Sequence, residues 1–104
     1  MISIRQAGAQ DFDLVADFIR KLADYEKLAH EVRFDDAVLR GHLFGERPAA
    51  EVLIGEIDGV PSGFALFFQT FSTFEGKPGI WLEDLFVDPA ARGSGLGRAL
   101  LSRL

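Results

Sequence analysis

The chain has 104 residues, a formal net charge of -5 at pH 7, 48% hydrophobic residues and 26% charged ones. We expect one globular domain, residues 1–104, long enough to bury a modest core. The acidic balance argues against nonspecific nucleic-acid binding, which rests on excess lysine and arginine, and zero cysteines exclude disulfides, thiolate zinc sites and a thiol nucleophile.

No opening apolar run of signal-peptide type and no long apolar span is present, so a cytoplasmic chain without a membrane partner is expected. Ile2 and Ile4 alternate with polar residues and predict a strand from Ile2 to Gln6. After the break AGAQD, Asp11 is placed to cap a helix from Phe12 to about Lys27. Phe12, Val15, Ile19 and Leu22 recur along it at helical spacing, with Leu14, Phe18 and Tyr25 widening the stripe. Asp35 or Asp36 can cap a shorter helix through Val38, Leu39, Leu43 and Phe44, stopped by Gly45.

Ala50 to Asp58 and Val60 to Thr70 are β-rich runs joined at Asp58-Gly59, a hairpin signal. Pro61 lacks a ladder donor and is expected at a non-bonded position or a sheet edge. STFEGKPG reads as a polar loop, and Ile80 to Val87 as a third β-run that Asp88-Pro89 ends. Leu96, Leu100, Leu101 and Leu104 then mark one face of a last helix. That face is still in period at Leu104 with no glycine or asparagine stop, so a C-terminally truncated chain is expected. The order strand, helix, helix, strand, strand, strand, turn, helix predicts an α/β or α+β sheet with helices packed on it.

Arg92-Gly93-Ser94-Gly95-Leu96-Gly97 lies between a strand and a helix. Glycines there let main-chain N–H groups approach a ligand closely, which suits a phosphate or pyrophosphate. A dinucleotide fingerprint would need glycine at position 98, which is Arg98, and the Gly-Lys-Ser/Thr ending of a nucleotide P-loop is absent. A plain tight turn is the competing reading. Three glycines at alternate positions between Arg92 and Arg98 favour the anion site.

VDPAARGSGLGRALL resembles the acetyl-CoA signature of the GNAT superfamily of N-acetyltransferases, Arg/Gln-x-x-Gly-x-Gly/Ala, on Arg92, Gly95 and Gly97. LEDLFV, SGFALFF and KLADYEKL resemble, in the right order, the spermidine/spermine and thialysine acetyltransferase branch. The resemblance implies the N-terminal portion of a mixed, largely antiparallel sheet flanked by helices. It implies acetyl-CoA as co-substrate, with the backbone of Gly93, Ser94, Gly95, Leu96, Gly97 and Arg98 cradling the pyrophosphate and Leu85, Phe86 and Val87 lining the pantetheine arm. A backbone N–H near Leu85 would polarise the thioester carbonyl. Arg92 either adds charge to the pyrophosphate site or caps the turn.

Strict alternation would put Trp81, Glu83, Leu85 and Val87 on one face of the third β-run and Ile80, Leu82, Asp84 and Phe86 on the other. A carboxylate on each face must find a partner or protonate; one facing water and the other pairing locally would suffice. Acyl transfer gives Glu83 a better reason. A primary ammonium with a pKa of about 10.4 must lose a proton before attack, a cost of roughly 4–5 kcal/mol at neutral pH, and a nearby carboxylate can attract the cation and accept that proton. The resemblance makes Glu83 amine ligand and possible base, and Tyr25 and Glu26 the substrate-contacting pair; spacing alone makes Tyr25 part of the core stripe and Glu26 a solvated surface residue. Asp84 reads as structural.

The resemblance also implies a further strand and helix, and a tyrosine beyond them that protonates the departing thiolate; no general-acid candidate stands in this chain, whose one tyrosine is Tyr25. His30 and His42 lack metal-ligand spacing, and no metal is implied. The expected function is therefore acetyl transfer to a primary amine of a small molecule such as a polyamine or a thialysine-like amino acid, by direct attack, in a chain expected to form a homodimer. The alternative is a CoA-binding or self-associating fragment without turnover.

Overall fold

Seven regular elements appear in the order the sequence predicts. The computed structural model describes residues 1–104 as β1 (Ile2–Gln6), α1 (Phe12–Tyr25), α2 (Asp36–Phe44), β2 (Glu51–Ile57), β3 (Val60–Ser72), β4 (Lys77–Val87) and α3 (Leu96–Ser102), with short 3-10 turns between some of them. The four strands form one sheet in sequence order, and every neighbouring pair is antiparallel. Asp58 and Gly59 both take positive φ, 51° and 81°, as a two-residue type I′ hairpin turn requires. Asp35 caps α2 by accepting hydrogen bonds from the N–H groups of Ala37 and Val38 at 2.9 and 3.2 Å. No helix is long and apolar enough to cross a membrane.

Both faces of the sheet are covered. On one, α1 and α2 bring Val15, Phe18 and Leu43 onto Val52, Ile54, Phe64, Leu66 and Phe86. Phe18 stacks on Phe64 with centroids 5.4 Å apart and leans on Phe86 at 6.1 Å. On the other, Leu96 and Leu100 of α3 pack over Leu53 and Ala65. Double coverage explains why Val52–Gly55 and Ser62–Leu66 are buried without interruption, where a half-exposed sheet would alternate.

Several expectations are corrected. Asp11 precedes α1, but its carboxylate bonds no helix N–H; it accepts from Arg5 Nη1 and Nη2 at 2.8 and 3.0 Å and from Gly8 N at 2.9 Å. A bidentate guanidinium is the stronger partner for a buried acid, and it holds the Asp11 carboxyl below the usual range despite burial. The loop expected over STFEGKPG is short, because β3 and β4 stay paired out to Ser72 and Lys77. Pro61 stands on an inner strand, but there β3 has shifted register against β2, and the β4 ladder begins only at Gly63. Leu101 leaves the α3 stripe and is 48% exposed, while Leu96 and Leu100 are fully buried. Tyr25, read as core from spacing, is 60% exposed.

The position of α3 is set by two glycines. Gly55 and Gly63 face each other in register, and Leu96 fills the space above them. A Cβ on Gly55 would stand 2.6 Å from Leu96 Cδ1; one on Gly63 would stand 2.6 Å from the Phe86 carbonyl oxygen. A side-chain end can give way more readily than a backbone carbonyl. Gly63→Ala should therefore destabilise the fold more than Gly55→Ala, with both losses within about 1–3 kcal/mol, as read by equilibrium urea unfolding.

Candidate active site

The alternation assumed for β4 breaks at its centre. Leu66 is paired with Asp84 but Phe67 with Leu82, so Glu83 is an extra residue in a β-bulge. Leu82 consequently shares the α3 side with Leu85 and Val87, not the side of Asp84 and Phe86, and Trp81 falls opposite Phe68 instead of aligning with Leu85. Trp81 Nε1 donates to Glu83 Oε1 at 3.3 Å. The bulge gathers acids that strict alternation would have separated.

Asp84 is half-buried, and its carboxyl is raised above the ordinary carboxylate range, first by burial, then by the negative charges of Glu83 and Glu26. Glu26 and Glu83 are exposed, and none of these acids forms a salt bridge. Asp84, read from the sequence as structural, therefore belongs to an anionic group with Glu26 and Glu83. Its share in that group was not legible, because the bulge depends on the pairing strand.

Glu26 is brought there by the way α1 ends. The N–H of Leu28 bonds the Ala23 carbonyl at 2.7 Å and that of Lys27 bonds Asp24 at 3.0 Å, a Schellman closure with Lys27 at the left-handed position, φ 61°. The helix stops at Tyr25 instead of reaching Lys27. The Arg92 guanidinium lies 4.2 Å from the Tyr25 ring centroid, and Arg92 Nε donates to the Val87 carbonyl at 3.1 Å. Between these elements lies a hollow of about 280 Å³ lined by Lys21, Asp24, Tyr25, Phe86, Asp88 and Pro89. Other hollows, including one of about 370 Å³ beside Leu43 and Phe44, are lined by none of Glu26, Glu83, Asp84 and residues 92–98.

The turn before α3 is held by Gly93 and Gly95, with φ of 84° and 92°. The N–H groups of Gly93, Gly95, Gly97 and Arg98 have no partner within the chain, whereas Ser94 N–H bonds the Ala91 carbonyl at 3.3 Å and Leu96 N–H bonds Ser94 Oγ at 3.3 Å. Two amides of the expected cradle are thus used in closing the turn. A Cβ on Gly93 or Gly95 would meet nothing within 4 Å, so the Cβ side of those two glycines is open. That combination fits a diphosphate. Nothing pairs with the outer edge of β4; Phe86 is buried on the α1 side and can offer a guest only main chain, while Leu85 and Val87 pack toward α3. His30 and His42 are both exposed.

A family model described as Acetyltransferase (GNAT) family matches residues 15–104. The chain is 34% identical over 111 residues to the thialysine N-epsilon-acetyltransferase of Bos taurus, covering 99% of this chain and 65% of that protein. It is 33% identical over 108 residues to the spermidine/spermine N(1)-acetyltransferase-like protein 1 of Homo sapiens, covering 97% of this chain and 15% of that protein. It thus spans 65% of the length of the bovine relative. In fold it superposes with a TM-score of 0.80 on an aminoglycoside acetyltransferase from an uncultured soil metagenomic sample in complex with sisomicin, at 17% identity, covering 98% of this chain and 66% of that one.

The unpaired acids bear on stability. Asp84 has a raised folded-state value, so its ionisation opposes folding; the penalty is absent below the unfolded value near 3.9, grows as pH rises from there toward the folded value and is complete above it. Asp84→Asn should stabilise the ligand-free chain at pH 7 and leave it unchanged near pH 3, in urea unfolding at the two pH values.

Proposed function

Because the chain belongs to the acetyltransferase (GNAT) family, we propose that it transfers an acetyl group from acetyl-CoA to a primary amine of a small substrate, a polyamine or a thialysine-like amino acid, by direct attack. The observation that carries this reading is a pair of unmatched polar groups. The main-chain N–H groups of Gly93, Gly95, Gly97 and Arg98 lack acceptors, and the carboxylates of Glu26, Glu83 and Asp84 lack a cation. The first set suits a diphosphate and the second an ammonium group.

Each residue then has a role. The turn amides hold the diphosphate, and Leu85, Phe86 and Val87 offer the free edge of β4 to the pantetheine arm. A main-chain N–H near Leu85 faces the thioester oxygen. Glu26 and Glu83, with the Tyr25 ring beside them, attract the amine. Bound acetyl-CoA supplies an activated acyl group: the amine nitrogen forms a bond to the carbonyl carbon, and the carbon–sulfur bond breaks with its electrons passing to sulfur. The proton leaving the ammonium before attack passes to the Glu83–Asp84 pair, and the second proton that nitrogen sheds as the amide forms passes through water to the departing thiolate. The raised proton affinity of Asp84 narrows the gap to the amine, which favours transfer.

The reading includes a homodimer. It is supported by Phe71, Phe74, Ile80 and Trp81, which are 53–101% exposed on the β3–β4 ribbon beyond the end of β2. Sedimentation velocity should give twice the monomer mass at micromolar concentration.

Calorimetry and thiol release test the chemistry together. Gly95→Val should abolish acetyl-CoA binding, while Gly59→Ala, which forces a side chain onto another positive-φ glycine far along the chain, should retain it. Spermidine-dependent thiol release should fall at least tenfold in Glu83→Gln, and its pH optimum should move upward, with CoA binding spared. Binding without release under any amine would leave only the non-catalytic alternative, and unchanged CoA affinity in Gly95→Val would remove the turn from the site.

A further inference from the structure

One side chain touches three parts of the site and is used by none of the steps above. Arg92 stands immediately before the glycine turn. Its Nε donates to the carbonyl of Val87, the last residue of β4, at 3.1 Å. Its guanidinium covers the ring of Tyr25, the last residue of α1, at 4.2 Å. No carboxylate pairs with it, although Asp24 and Asp88 line the hollow beside Tyr25. Its cationic group is therefore directed at the helix end that carries Glu26.

That helix end needs holding. Tyr25 is 60% exposed, Glu26 and Lys27 are exposed, and Lys27 sits in a left-handed conformation that L residues with a Cβ disfavour. A segment with few buried contacts opens locally more often than the core does. The Arg92–Tyr25 stack is its contact with the residue leading into the turn.

Resting on the acetyltransferase reading, the geometry points to Arg92 as a positioning residue that couples the two halves of the site. Occupation of the turn by the CoA diphosphate fixes residues 93–98. Arg92 is thereby fixed over Tyr25, and the α1 end is held with Glu26 beside Glu83 and Asp84. Coenzyme binding then orders the amine site ahead of the amine. By reciprocity, an amine that fixes Tyr25 strengthens coenzyme binding by the same factor. This role differs from direct charge on the diphosphate, because it runs through the Tyr25 ring.

The test follows amide hydrogen exchange of Lys27 and Leu28, whose N–H groups close the α1 end, with and without saturating CoA, alongside calorimetry of CoA binding. In the wild-type chain CoA should raise their protection by about two- to five-fold, the range of one exposed cation–π contact. Tyr25→Phe, which keeps the ring, should retain the rise; Tyr25→Leu and Arg92→Ala should each lose it while still binding CoA, and the double variant should lose no more. The coupling is overturned if CoA binds and protection does not rise, or if the rise survives in Tyr25→Leu or Arg92→Ala. An Arg92→Ala chain that loses CoA binding while Tyr25→Leu keeps both binding and the rise would assign Arg92 to the diphosphate instead. Absence of CoA binding to the wild-type chain is a separate result, seen in the calorimeter alone, and would overturn the acetyltransferase reading beneath this one.

Discussion

The arrangement of this molecule depends on one close contact, Leu96 seated over the facing glycines Gly55 and Gly63. The leucine is fully buried, a gain of about 2 kcal/mol for a side chain of that size. More consequential is where the contact sits. Leu96 is the first residue of α3 and directly follows Gly95, so its seat fixes the end of the glycine turn. Gly63 is paired with Val87, so the same seat is keyed to the end of β4. The free amides and the β4 edge are thus held in register by small residues in the middle of the sheet. The turn supplies the hydrogen-bond donors, and the two inner strands decide where they point.

A second theme is local cost concentrated at one place. Three acids are brought together without a cation by a bulge in β4 and a left-handed residue after α1. Elsewhere the chain pairs its buried charge carefully: Asp11 is matched by Arg5 and the Gly8 N–H, and no buried side-chain polar atom lacks a partner. The contrast is local: the acid this chain buries is paired, while these three acids, two of them exposed, share one neighbourhood with no protein cation.

Most of the architecture was legible in the sequence because its signals are local. The Ile2/Ile4 alternation, the Asp35 cap, Asp58-Gly59 and Asp88-Pro89 each mark an element end without reference to distant residues. What failed was non-local. The faces of β4 could not be read because the bulge at Glu83 arises from pairing with β3. Asp11 was drawn from its helix by a guanidinium on β1. Tyr25 and Leu101 fit a helical stripe, yet no opposing layer reaches them. At the candidate site, the glycine turn was evident from its spacing, but which amides were free was not: Ser94 and Leu96 close the turn internally. The Arg92–Tyr25 stack joins residues far apart in the chain, and no spacing rule could have found it.

The exposed margin of β4 has a further meaning for company the molecule keeps. A long, regular unpaired strand invites another chain to zip onto it. Here the zip would run along Asp84–Val87 and then stumble at the misfit residue Glu83, amid concentrated negative charge. On either side of Glu83 the free edge is regular for only a few residues, Lys77–Leu82 and Asp84–Val87. The bulge thus divides the free edge into two short stretches instead of one long template for a second strand.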